Sequence, residues 1–283
     1  MSAREAIIEA ADSEPFRSLL LRLAKSNAGV RFLNKLSYPR AVFSSFDEAW
    51  VAARKTAYAG HDHPDYIKLH LELSKTLRPS DYAALYWISR ICSREIKVFD
   101  FGGHVGNLFY SYLDYLIDTS NSVKWTVFDL PQTVTAGQEL ARQRGARGLE
   151  FTTSLDQYSR DQVLLISGAF HYWEKSIAEF VSQFPERPDH ILINRTPVCD
   201  AAPAFFTVQD NGSYAVPCVV RNLDEIVSAF SAAGYALIDR WKALELRMRM
   251  PLFPGLNVPY YSGFYFSTQK QTIQSSCTPE VLL

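Results

Sequence analysis

The sequence has little of what marks several classes of protein. Its 283 residues include only four cysteines, Cys92, Cys199, Cys218 and Cys277, with no Cys-x-x-Cys pair and no histidine at zinc-ligand spacing. That pattern speaks against a disulfide scaffold or a structural zinc site, and the cysteines read as reduced thiols. No uninterrupted apolar run approaches the ~18 residues that a membrane span requires. The opening Met-Ser-Ala-Arg-Glu-Ala leads into no apolar stretch of signal length, so the cytoplasm is the expected compartment. An excess of charge is missing as well. Twenty-nine basic residues stand against 30 acidic ones, giving a net charge of −1 with no long run of either sign. Nucleic acid is therefore not an expected partner.

What is present is apolar content of 47%, enough to fill the core of one large domain or of a domain with an appendage. Residues 1–94 read as a helical cap. Ile7, Ile8, Phe16, Leu19, Leu20 and Leu23 recur at helical spacing behind Ser13 and Pro15. Leu36-Ser-Tyr-Pro-Arg40 reads as a turn. Ser45-Phe-Asp-Glu48 has the form of a capping box, with Gly60 as terminator of the helix it opens. Further helices are expected from Pro64 to Leu77 and from Ser80, as its cap, to Cys92. His61, Asp62, His63 and Asp65 form a cluster without a third ligand of clear spacing, so no metal site is expected there.

From residue 95 to 270 strands alternate with helices, the pattern of a parallel sheet with right-handed crossovers. Strands are expected at Lys97–Phe101, Lys124–Asp129, Leu149–Thr153, Gln162–Ser167, Ile191–Arg195, Ala236–Trp241 and Gly263–Thr268. Helices fall near Asn107–Ile117, Pro131–Gln143, Lys175–Gln183 and Asp224–Ala233. Phe206-Thr-Val-Gln209 reads as a loop leading into the turn Asp210-Asn-Gly-Ser213. Residues 271–283 read as a flexible tail.

The chain is organised around Val98-Phe-Asp100-Phe-Gly102-Gly103-His104-Val-Gly106-Asn-Leu108. An apolar strand ends in a turn crowded with glycine, and a helix follows. Glycine there permits unusual φ values and lets a ligand approach main-chain N–H groups at the helix start. A nucleotide-like ligand at the carboxyl end of the strand is the first hypothesis. The dinucleotide pattern Gly-x-Gly-x-x-Gly fails, because counting from Gly102 the third position is His104 and the sixth is Asn107. Asp129, at the end of the next strand, is a carboxylate suited to accepting hydrogen bonds from two ribose hydroxyls, and it also stands where a helix cap would precede Pro131. Ser167-Gly-Ala-Phe-His171-Tyr172-Trp173 follows a third apolar strand and carries polar and aromatic groups over the same edge. Arg195 stands at the end of a fourth, placed to pair with an acidic ligand or to form a structural ion pair.

Asp100-x-Gly102-x-x-x-Gly106 resembles the first motif of the class I S-adenosylmethionine-dependent methyltransferases, with His104 in place of the middle glycine. Phe170-His171-Tyr172-Trp173 resembles the Leu-His-Asp-Trp segment of small-molecule O-methyltransferases, from which Tyr172 departs. Ser44–Ala49, Asp100–Gly103, Trp125–Pro131, Ser167-Gly168, Asn194–Pro197 and Thr207–Gln209 together resemble a family of bacterial methyltransferases of unassigned acceptor, often associated with surface-polysaccharide gene sets. This resemblance runs from about Tyr38 to Thr268. It implies a Rossmann-like α/β sheet of seven strands, closed by an antiparallel hairpin, with an N-terminal helical cap.

S-adenosyl-L-methionine is the implied cofactor and a small molecule the implied acceptor, receiving methyl on an oxygen, as in a sugar or glycan precursor. Gly102, Gly103 and Gly106 would form the cofactor turn, and Asp100 would orient the methionine amino group. Asp129 would hold the ribose with Leu130 beside it, Thr153 would stand near adenine, and Ser167 would complete the cofactor set. His171 would be the general base, with Tyr172 and Arg195 binding the acceptor. A homodimer through the cap follows by analogy. The alternative is a methyltransferase-like module without catalysis, suggested by His104 within the glycine turn.

Overall fold

The computed structural model describes residues 10, 13–37, 41–55, 58–60, 76–92, 95–117, 122–210, 214–250 and 252–268. Chain order begins with α1 (Phe16–Leu23), α2 (Asn27–Ser37) and α3 (Phe46–Arg54), then the short strand β1 (Tyr58–Ala59) and α4 (Asp81–Ile91). Alternation follows through β2 (Ile96–Phe101), α5 (Asn107–Ile117), β3 (Val123–Phe128), α6 (Pro131–Arg144), β4 (Leu149–Thr152), β5 (Val163–Ser167), α7 (Ile177–Val181) and β6 (His190–Pro197). A hairpin of β7 (Phe205–Asp210) and β8 (Tyr214–Val220) precedes α8 (Leu223–Ala232), β9 (Ala236–Ala243) and β10 (Tyr261–Ser267).

Seven of these strands form one sheet in the order β4-β3-β2-β5-β6-β10-β9. The first five lie parallel, and β10 runs antiparallel to both β6 and β9. Each of the seven expected strands is present within a few residues of its expected bounds. The central strands are covered on both faces, which is why Val163-Leu-Leu-Ile166 is continuously apolar rather than alternating. Successive side chains divide between the two faces. Val98, Trp125 and Leu165 pack with Ala84 and Ile88 of α4 and Phe109 and Tyr112 of α5. Phe99, Leu164 and Ile166 pack with Phe180 of α7 and Phe230 of α8 on the other face.

A second sheet, β1-β8-β7, was not expected from the sequence. The loop read at 206–209 is in fact part of β7, and the turn expected at 210–213 lies outside the described residues except for Asp210, which ends that strand. Pro217 disguises β8, since proline cannot donate to a ladder. It is tolerated because β1 pairs only with Tyr214 and Ala215, so β8 is an edge strand by the time Pro217 is reached. Helix α3 lays Ala49, Ala52 and Ala53 against Val208 and Ala215 of this sheet, and Phe43 forms a bridge with Phe206. Helices α1 and α2 place Leu20 and Leu33 against Phe205, Val220, Met250 and Phe253.

Local capping differs from the sequence reading in three places. Ser45 accepts the Glu48 amide (3.2 Å), but the Glu48 carboxylate accepts from the Ser44 amide and hydroxyl instead of closing the box on Ser45. The reciprocal box occurs at Ser176 and Glu179, at the start of α7. Ser80 makes no cap bond; it turns to Glu245, while the Asp81 carboxylate accepts the Arg78 amide at 2.8 Å. Gly60 terminates nothing, because α3 ends at Arg54. The helix expected at Pro64–Leu77 falls outside the described residues except for its final two, the His61–Asp65 cluster and the tail at 271–283 do so entirely, and the Leu36–Arg40 turn does so for residues 38–40.

Candidate active site

Strand β2 stops at Phe101 because the next residues cannot continue it. Gly102 and Gly106 take φ values of 71° and 78°, and His104 between them takes 55°. Gly102 donates its amide to the Phe128 carbonyl (2.8 Å), and Gly106 donates to Gly103 (3.0 Å), which closes the turn before α5 begins. The turn lies flat against its surroundings. A Cβ at Gly102 would stand 2.5 Å from Ala169 Cβ, and one at Gly103 would stand 2.4 Å from both Cγ and Oδ2 of Asp100. Only hydrogen fits at either position. A left-handed histidine costs ~1 kcal/mol or more relative to glycine, and the His104 amide donates to Asp129 Oδ2 at 2.9 Å.

The turn forms one wall of a cavity of about 930 Å³ at the carboxyl ends of β2, β3 and β5. Gly102, Gly103, Asp129, Leu130, Thr153, Ser167, His171, Tyr172 and Arg195 all line it, so nine of the eleven residues singled out in the sequence come together. Asp100 and Gly106 do not reach it. Asp100 is fully buried beneath Gly103, with Oδ2 accepting from Trp125 Nε1 (3.1 Å) and Oδ1 lacking a partner among the described residues. Burial pushes its carboxyl up to about 7, the Asp129 charge adds to that, and the Trp125 and Arg195 groups oppose it. Gly106 instead faces Leu149 and Phe151, where it lets α5 approach β4.

Asp129 is half-buried, with Oδ1 accepting the Leu130 amide at 2.7 Å and Oδ2 the His104 amide. Burial raises its carboxyl, and these two amides with the Thr133 hydroxyl hold it down. Each oxygen accepts one backbone N–H, leaving further lone pairs for hydroxyl donors. Leu130 is 47% exposed beside it, an apolar surface that the protein itself does not cover. On the other side of the turn, the hydroxyl oxygen of Ser167 is shut off from solvent with no partner among the described residues.

Next to the Ala169 that abuts Gly102, a one-turn helix at Phe170–Tyr172 carries His171, which is 3% exposed with its ring centred 4.2 Å from the Tyr172 ring at a tilt of 46°. Tyr172 donates to Gln209 Oε1 (2.7 Å), and Gln209 Nε2 donates to Tyr261 (3.1 Å), so β7 and β10 hold this wall in place. Arg195 stands in a bulge. Thr196 pairs with Ser262 and Ile193 with Phe264, leaving Asn194 and Arg195 opposite Gly263 alone, with Arg195 at φ 58°. Its NH2 donates to Asp81 Oδ1, which also accepts from Tyr112 (2.8 Å) and Asn194 (3.4 Å).

Sequence reasoning missed Arg78, Tyr261 and the stretch Leu246-Arg-Met-Arg-Met250, all of which line the cavity, as does Gln209 from the segment expected to form an acceptor loop. The alternation Arg247-Met-Arg249-Met in the β9–β10 connection was the available signal.

The sheet order, with its single reversed strand beside the edge, defines the class I methyltransferase fold. No family model matches the chain, and no curated protein does. Among solved structures the chain is similar to a 1,6-didemethyltoxoflavin-N1-methyltransferase from Burkholderia thailandensis, with bound 1,6-didemethyltoxoflavin and S-adenosylhomocysteine. That similarity is 16% identity, covering 67% of this chain and 78% of the other, with a TM-score of 0.44. A SAM-dependent methyltransferase from Aquifex aeolicus gives 15%, 73%, 99% and 0.46 on the same measures. The magnesium protoporphyrin IX methyltransferase from Synechocystis, with bound SAH, gives 12%, 76%, 92% and 0.45.

Proposed function

We propose that this chain transfers a methyl group from S-adenosylmethionine to an oxygen of a small-molecule acceptor. The observation that carries this reading is the cradle at the end of β2. Two glycines leave no room for a side chain, and Asp129 stands at the tip of the neighbouring strand within the same cavity. When bound, the cofactor supplies a methyl group already activated on a sulfonium. Gly102 and Gly103 would let its methionine part lie against the main chain, and Asp100, buried beneath Gly103 and outside the cavity, would act on the amino group only through the turn it supports. Asp129 would accept from the ribose hydroxyls, Leu130 would cover one adenine face, and Thr153 and Ser167 would offer hydroxyls at either side of the turn.

His171 lines the same cavity, two residues after the Ala169 that abuts Gly102. It would take the proton from the acceptor hydroxyl as that oxygen bonds to the methyl carbon and the carbon–sulfur bond breaks toward sulfur. Tyr172 and Arg195 would hold the acceptor in line. Helices α1 to α3 read as the cap over this site, extended by the hairpin of β7 and β8, whereas α4, the last helix of residues 1–94, packs on the central sheet. A homodimer through the cap remains part of the reading.

Calorimetric titration with S-adenosylmethionine and S-adenosylhomocysteine tests the cofactor site, with NADH as control. Micromolar binding of both sulfur ligands is expected, with a loss of about 100-fold in Asp129→Ala, the equivalent of two charge-assisted hydrogen bonds. Failure of the wild type to bind either ligand would refute the reading. The base is tested separately. His171→Gln should lower kcat by about 100-fold or more while the affinity for S-adenosylhomocysteine stays within a factor of a few. A variant with unchanged kcat would remove His171 from the chemistry.

A further inference from the structure

Beside the glycine turn and Asp129, the cavity lining carries four arginines, Arg78, Arg195, Arg247 and Arg249, with Asp210 as a further carboxylate. These arginines come from the approach to α4, the bulge in β6, and the β9–β10 connection. Arg195 is 7% exposed, and its Nε–H finds no acceptor among the described residues although its NH2 engages Asp81. Arg78 and Arg247 make no ion pair with any carboxylate among the described residues. The guanidinium of Arg78 is held below its ordinary range by burial first and then by the charge of Arg195, while Asp81 and Glu245 pull the other way.

The charges of Arg78 and Arg195 repel one another, and an orphaned buried N–H costs ~1–3 kcal/mol. A protein tolerates that arrangement most readily where a ligand completes it. Guanidinium groups present donors matched to the paired oxygens of carboxylate and phosphate.

Resting on the methyl-transfer reading, we infer that the acceptor carries an anionic group, carboxylate or phosphate, held by Arg78, Arg195 and Arg247 in the cavity that also holds the glycine turn. Neighbouring Met248, Met250 and Tyr261 offer apolar surface for the body of such a molecule.

The test uses the full chain saturated with S-adenosylhomocysteine, titrated with inorganic phosphate, 4-hydroxybenzoate and the neutral 4-hydroxybenzamide. At least one of the two anions should bind, and which one binds distinguishes phosphate from carboxylate recognition. The amide should bind at least about tenfold more weakly than the better anion, and added salt should weaken the anion alone. Arg247→Gln, at an exposed position, should reduce anion affinity about tenfold, and Arg78→Gln should do the same. Neither should alter the binding of S-adenosylhomocysteine. Absence of anion binding to a chain that does bind S-adenosylhomocysteine would overturn this inference alone. So would equal binding of the amide, or anion affinity unchanged in both variants. Absence of S-adenosylhomocysteine binding would overturn the methyl-transfer reading, and this inference with it.

Discussion

Asp81→Ala is expected to destabilise the protein by about 3–5 kcal/mol, the usual cost of removing one partner from a buried ion pair. Asp81 is 1% exposed and its carboxylate serves four donors at once: Arg195, Tyr112, Asn194 and the Arg78 amide. Removing it leaves the Arg195 charge at a site 7% exposed, and strands the hydroxyl of the fully buried Tyr112. The loss should appear as a lower urea midpoint at unchanged m-value. Removing both charges tests the cause. Asp81→Leu combined with Arg195→Met should recover most of the loss, because the stranded charge is the larger part of it. A double variant no more stable than the single one would show that packing around Asp81 matters more than charge.

Asp100 should make the protein less stable as pH rises from about 4 to 7. Its carboxyl is pushed up to about 7 in the folded chain from an ordinary value of 3.8. Between those values the folded chain keeps a proton that the unfolded chain has released, so each rise in pH favours unfolding. Below pH 4 both states are protonated, and above pH 7 both are ionised and the penalty stays constant. The full penalty is about 4 kcal/mol at most, from ~1.4 kcal/mol per pH unit. Asp100→Asn keeps an acceptor for the Trp125 indole and carries no charge. It should match the wild type near pH 4 and exceed it by a few kcal/mol at pH 8. Urea titrations of the two proteins at both pH values give the difference directly, and parallel curves would refute the assignment.

The sheet and the glycine turn were legible because their signals are local. Val98-Phe-Asp-Phe-Gly-Gly carries the end of a strand, the turn and the ligand approach within a few consecutive residues. The strands of the buried sheet announce themselves as short apolar runs bounded by polar breaks. The hairpin of β7 and β8 escaped notice because Tyr214-Ala-Val-Pro-Cys-Val-Val220 is buried at every position, so it shows no alternation, and contains a proline. Its partner, β1, comes from a distant part of the chain. Ser80 looked like a cap from its position before Asp81, but a carboxylate 165 residues away competes for its hydroxyl. Arg78 and Arg195 lie far in the sequence from the Arg247-Met-Arg249 pair. Only the fold brings them to one cavity.

Two sets of cavity residues are encoded separately. The cradle is written into β2, β3, β5 and the turns that follow them. Arg247 and Arg249 come from the β9–β10 connection and are exposed. Substitutions there would leave the glycine cradle untouched, whereas Arg195 is tied to Asp81 in the core. Such a layout allows the choice of acceptor to diverge, by evolution or by engineering, while the methyl-donor cradle stays fixed. Grafting the 246–250 segment from a relative of different specificity would be the smallest change that exploits this separation.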